Sequence, residues 1–119
     1  MAWDLKTDRP IYLQLMEHLK QLMITGVYPA GSKIPSVREL AADASVNPNT
    51  MQKALSELER EGLVFTNRTS GRFITEDNDR ILNLKTELAQ EQLHLFFAQM
   101  EKLGFSKEEI RELLNHHTE

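Results

Sequence analysis

Residues 36–62 read SVRELAADASVNPNTMQKALSELEREG, and their punctuation is that of two short helices joined by a tight turn. Ser36 and Glu39 form an S-x-x-E pair, in which the serine hydroxyl accepts the Glu39 amide while the carboxylate reaches back. Val37, Leu40 and Ala41 then recur at spacings of three and four, a narrow apolar face, and Ala41, Ala42 and Ala44 are small enough for another helix to approach. Asn47 suits an N-cap, and Pro48 follows at the first helical position, where no amide hydrogen is needed. Met51, Ala54, Leu55 and Leu58 make the buried stripe of this second helix, and Gly62 suits the left-handed stop beyond it. The opposite face of its first half carries Asn49, Thr50, Gln52, Lys53 and Ser56, with no carboxylate until Glu57. Amides, hydroxyls and an ammonium are the groups that bond base edges and phosphates in a DNA groove. They also suit an ordinary polar surface, so this stretch alone leaves both readings open.

Working outward, the 119 residues allow one compact domain with an appendage. An apolar content of 40% and a charged content of 27% are ordinary for a globular protein. No apolar run approaches the roughly 18 residues that span a bilayer, and the opening MAWDLKTDRP has acidic residues and no apolar core of a signal peptide. Without cysteine there is no disulfide or thiolate chemistry, which fits a cytoplasmic location. The net charge of −4 is unevenly distributed. Residues 1–75 hold nine Lys/Arg against eight Asp/Glu, and residues 76–119 hold five against ten. Attraction to phosphate depends on the local footprint rather than the whole-chain charge.

Before the central stretch, Trp3–Leu5 is either a brief strand or an ordered arm. Asp8 or Arg9 is expected to cap a helix with Pro10 in its first turn. Ile11, Leu13, Leu15, Met16, Leu19, Leu22, Met23 and Ile24 supply its apolar stripe; Tyr12 and Gln14 lie off it, and Gly26 closes it. Pro29-Ala30-Gly31 suits a turn, and Lys33 and Ile34 a short strand that Pro35 ends. After Gly62 the pattern turns to alternation: Leu63-Val64-Phe65-Thr66 and Arg72-Phe73-Ile74-Thr75 flank Asn67-Arg68-Thr69-Ser70-Gly71, which reads as a hairpin. Residues 62–75 contain two arginines and no acid. Helix, helix, amide-rich helix and basic hairpin is the order of a winged helix-turn-helix, with the third helix in the major groove and the wing on the backbone or minor groove.

The set Pro10-Ile11-Tyr12-x-Gln14, Gly31-x-x-Ile34-Pro35-Ser36-x-Arg38-Glu39-Leu40-Ala41, Val46-Asn47-Pro48-Asn49-Thr50 and Leu58-Glu59-x-Glu61-Gly62-Leu63 resembles the GntR family of bacterial transcription regulators, its YtrA branch in particular. The resemblance implies DNA contacts at Arg38, Asn47, Asn49, Thr50 and Gln52 or Lys53, and a close approach of the wing to the groove at Gly71. Ser36 and, from the acid-free hairpin, Arg68, Thr69 and Arg72 are further candidate DNA contacts. Pro48, Asn49 and Gln52 depart from the residues many relatives carry, so the bases read are not transferred.

Residues 76–119 are expected to form a long helix from Asp77 or Asn78 to Leu103 and a short one opened by the capping box Ser106-Lys107-Glu108-Glu109. Leu84, Leu88, Leu95, Phe96 and Phe97 exceed what two helices can bury on themselves. Either they fold back on the first domain or they form a dimer interface, and the supply of core residues already present in the first domain favours the dimer. His18, His94, His116 and His117 form no metal-ligand spacing, and neither a nucleotide-binding glycine pattern nor a catalytic grouping is present, so no cofactor, metal or enzymatic activity is expected.

The expected fold is therefore α+β, mostly α: a winged helix-turn-helix DNA-binding domain over residues 1–75 and a C-terminal helical dimerisation region over 76–119. The expected function is a homodimeric, cytoplasmic repressor on a palindromic double-stranded DNA operator, with any small-molecule effector unknown. The resemblance adds an adjacent transporter operon as the regulated target. The rival is a winged-helix module that recruits a protein partner through its acidic helices.

Overall fold

The computed structural model describes residues 3–117. Helix α1 (Ile11–Ile24) buries Leu15, Met16, Leu19, Leu22 and Met23, the i, i+3, i+4 positions of its stripe. Leu13, expected in that stripe, is instead exposed. Neither Asp8 nor Arg9 caps the helix: Pro10 holds the N-cap position with no side-chain bond. Gln14 organises this end. Its side chain is buried, accepting the Lys6 amide at 2.6 Å and donating to the Lys6 and Arg9 carbonyls at 2.8 and 2.9 Å. A buried amide is stable only with such partners, and here they pin the N-terminal segment to α1. Trp3 is accordingly in an ordered arm rather than a strand, its ring 4.0 Å from that of His18 and its Nε1 donating to Asp43 at 2.7 Å.

Helix α2 (Val37–Ala44) begins with both halves of the Ser36–Glu39 capping box formed. Helix α3 (Pro48–Arg60) begins with Asn47 Oδ1 accepting the Asn49 amide at 2.7 Å. Between them Ser45 takes a left-handed conformation (φ 57°, ψ 46°), and Ser45 and Val46 return their amides to Ala42 and Ala41. That closure sets the tight angle between the two helices. Ala41 and Ala44 are buried while Ala42 faces solvent. Met51, Ala54, Leu55 and Leu58 of α3 are fully buried, joining Leu15, Leu19 and Leu40 in the core.

Gly62 (φ 77°) reverses the chain into an antiparallel pair, β1 (Val64–Asn67) and β2 (Gly71–Ile74), in the register Val64↔Ile74, Phe65↔Phe73, Thr66↔Arg72 and Asn67↔Gly71. Alternation sends Val64 and Ile74 into the core and leaves Phe65 stacked on Phe73 at 5.5 Å on the other face. The segment around Lys33 adds a third rung to β2: Ile34 donates to the Arg72 carbonyl at 3.0 Å, and the Ile74 amide donates to Ser32 at 2.9 Å.

The chain forms two compact units, Met1–Leu84 and Lys85–Glu119. Helix α4 (Asn78–Lys102), capped by Asp77 Oδ1, runs across the boundary, which lies beyond the division expected after residue 75. The first turns of α4 thus belong to the first unit, and Leu84 among them is completely buried. Leu84 therefore has no surface to offer a second chain, which corrects its assignment to a dimer interface. In the second unit, α5 (Lys107–His116) carries the expected Ser106–Glu109 capping box and buries Ile110. Leu95, Leu103, Leu113 and Leu114 remain exposed, Leu103 to 72%.

Candidate nucleic-acid interface

An open cleft of about 960 Å³ separates the start of α2 from the β1–β2 tip, with Lys33, Arg38 and Arg72 as its cations and Glu39 as its one carboxylate. That carboxylate is tied down: bonds from the Ser36 amide and then its side chain hold the Glu39 carboxyl below its ordinary range. Arg38 leaves the first turn of α2 exposed, and Arg68 leaves the hairpin tip exposed; neither makes a hydrogen bond or ion pair among the described residues. Unpaired guanidiniums at the start of α2 and at the hairpin tip attract phosphate, with further weight from the positive end of α2.

Several candidate side chains already have partners. Ser36 Oγ accepts the Glu39 amide, and its hydroxyl is the side-chain group that helps to hold down the Glu39 pKa. Asn47 Oδ1 is taken by the Asn49 amide, leaving its NH₂. Asn49 is exposed at the second position of α3, and Thr50 is half-exposed beside it. Gln52 bridges two elements: Arg72 Nη2 donates to its Oε1 at 3.2 Å, and its Nε2 donates to Ser56 Oγ at 3.0 Å. The recognition helix and the wing are thus linked before any DNA arrives, with one Gln52 N–H left over for a base acceptor. The Lys53 ammonium rests 4.0 Å from the centre of the Tyr12 ring, a contact worth about 0.5–1 kcal/mol at an exposed site.

At the wing tip, Asn67 Oδ1 accepts the Thr69 amide, the Thr69 hydroxyl and the Ser70 amide. Because a carboxamide oxygen can only accept, the Thr69 hydroxyl is the donor and has no hydrogen left for a phosphate. Ser70, which sequence reasoning passed over, makes no side-chain bond among the described residues and is the better donor at this tip. Gly71 has φ 105°, and a Cβ there would come within 3.2 Å of Lys33 Cε. The positive φ calls for glycine; the Lys33 contact is with the flexible end of a side chain and could yield. Tyr12 was also missed as part of this surface; its signal was an aromatic ring lying off the apolar stripe of α1.

Comparison with known proteins gives these features a family. Residues 11–74 match the model of the bacterial regulatory proteins, gntR family. The HTH-type transcriptional regulator YhcF of Bacillus subtilis (strain 168) is 41% identical over 114 residues, covering 96% of this chain and 94% of that protein. The HTH-type transcriptional repressor YtrA of the same organism is 40% identical over 100 residues, covering 84% and 72%. A GntR family transcriptional regulator from Listeria monocytogenes has the same fold, with TM-score 0.85, 38% identity and coverage of 96% and 100%. AraR(DBD), solved in complex with operator ORX1, matches at TM-score 0.55 and 26% identity, over 63% of this chain and 92% of that one. With its helix-turn-helix, glycine-tipped wing and exposed cations in that arrangement, the chain belongs to the GntR family of transcription regulators, as a YtrA-like member.

Proposed function

We propose that this protein is a cytoplasmic transcriptional repressor that binds a palindromic operator as a homodimer. The first unit, through Leu84, reads the DNA, and the second, from Lys85, pairs the two chains. The observation that carries this reading is the set of Lys33, Arg38 and Arg72 around the cleft, with exposed Arg68 at the hairpin tip and the acid-free face of α3 linked to the wing through Gln52 and Arg72. In the proposed complex Arg38, Arg68, Ser36, Ser70 and Lys53 hold phosphates, while Asn49, Thr50, Gln52 and the free NH₂ of Asn47 face base edges. Gly71 lets the wing backbone approach the groove. The dimer is supported by the apolar stripe of Leu88, Leu95 and Phe96, continued by Leu103, for which the second unit offers no cover. Phe97, expected in the interface, is half-buried on the opposite side of α4, its ring edge-on to Phe96 at 5.9 Å, and lies outside that stripe. On the likeness to the repressor YtrA, the regulated genes are proposed to be an adjacent transporter operon.

The test is a titration of the full chain with the palindromic sequence upstream of its own gene, over a range of salt. Each phosphate neutralised steepens the log–log slope by about 0.9. A flat salt response refutes the cationic footprint. Sedimentation equilibrium of the full chain and of Leu95→Glu tests the pairing: a monomer at micromolar concentration, or a dimer indifferent to Leu95→Glu, refutes it.

A further inference from the structure

The second unit contains a cleft of about 450 Å³ between α4 and α5, lined by Gln90, Leu93, His94 and Phe97 of α4 and by Lys107 and Arg111 of α5. The lining is chemically selective. Residues 85–117 carry more acid than base, yet no carboxylate borders this cleft. Two of the unit's four Lys/Arg side chains do, one helical turn apart on α5, and neither forms an ion pair or hydrogen bond among the described residues. Lys107 also occupies the first position of α5, where the helix dipole reinforces its positive charge. Opposite them, Leu93 and Phe97 provide an apolar floor, and Gln90 an amide.

This cleft is not part of the proposed pairing stripe. At about 100° per residue, Leu95 lies on the same side of α4 as Leu88, whereas Phe97, nine residues from Leu88, points half a turn away. Gln90 and Leu93 share the Phe97 side. A dimer formed through Leu88 and Leu95 leaves the cleft open.

We propose that this cleft binds a small amphipathic organic anion, its carboxylate held by the Arg111 guanidinium and the Lys107 ammonium and its apolar body lying on Phe97 and Leu93. The planar fork of arginine matches a carboxylate in two parallel hydrogen bonds, and the adjoining Leu93 and Phe97 give an apolar body a surface to lie on. An inorganic anion would leave the apolar floor unused. As an input to operator binding the site rests on the proposed function; as a binding site it stands apart from it, and the test reads binding alone.

Isothermal titration of the full-length protein uses three probes: 4-phenylbutyrate, its neutral counterpart 4-phenylbutan-1-ol, and inorganic phosphate. The acid is expected to bind once per chain, with the alcohol and the phosphate each at least about tenfold weaker, the loss of one charge-assisted contact. Arg111→Ala and Lys107→Ala should each weaken the acid by a similar factor, Arg111→Lys by less, and Lys102→Ala, at an exposed cation outside the cleft, not at all. Circular dichroism of each variant separates a lost contact from a lost fold. No binding of the acid at millimolar concentration overturns the proposal. So does equal binding of acid and alcohol, or unchanged affinity in folded Arg111→Ala.

Discussion

The Gln52–Arg72 hydrogen bond makes a quantitative demand on the recognition helix and the wing. At 3.2 Å and half-exposed, it falls below the roughly 1.5–3 kcal/mol of a well-formed charged hydrogen bond, and about 1 kcal/mol is the reasonable figure. Gln52→Ala and Arg72→Ala each remove it, and the double variant removes it only once. A double-mutant cycle in urea, at one fixed protein concentration, should therefore show about 1 kcal/mol of coupling between the two positions. Far-UV circular dichroism follows the helices, and the fluorescence of Trp3, the single tryptophan, follows the docked arm. The same coupling should appear on DNA. A wing that touched only backbone would make Arg72→Ala weaken all duplexes alike; one that also holds Gln52 makes Arg72→Ala lose preference for the operator over random duplex. Losses that add to within about 0.3 kcal/mol refute the reasoning and leave helix and wing independent.

Asn49→Ala should cost about 1–3 kcal/mol on the preferred operator and little on random DNA, and equal losses on both would show that Asn49 reads no base. Ser45→Gly should raise the free energy of unfolding in urea by about 0.5–1 kcal/mol, since relief of the left-handed strain exceeds the added chain entropy; destabilisation would show that the serine side chain has a role there. Burial depresses the His18 pKa, with Asp43 opposing the shift. The unfolded chain then binds the proton first, so stability should fall as pH drops from the unfolded pKa near 6.5 toward the lower folded value. His18→Phe, which keeps a ring against Trp3, should flatten that slope, and an unchanged profile would assign it to another group.

Local rules made most of the elements legible in the sequence. Both Ser–x–x–Glu capping boxes, the Asn47-Pro48 start of α3 and the core positions of α3 were readable, because caps and periodicity depend on neighbours within four residues. The same is true of the α1 stripe apart from Leu13, which sits at the stripe's edge where local spacing cannot tell a core contact from solvent. The candidate interface was legible as a set of positions for the same reason: an acid-free helix face and a basic hairpin are patterns within single elements. What each side chain does there was decided by partners far along the chain. Gln52 meets Arg72 twenty residues away, Lys53 meets Tyr12, and Trp3 meets His18 and Asp43. Gln14 is buried although it lies off the apolar stripe, because three backbone groups of the preceding segment satisfy its amide. Leu84 belongs to the first unit rather than a dimer surface because that unit extends into α4, and helical periodicity marks a face as apolar without saying what will cover it.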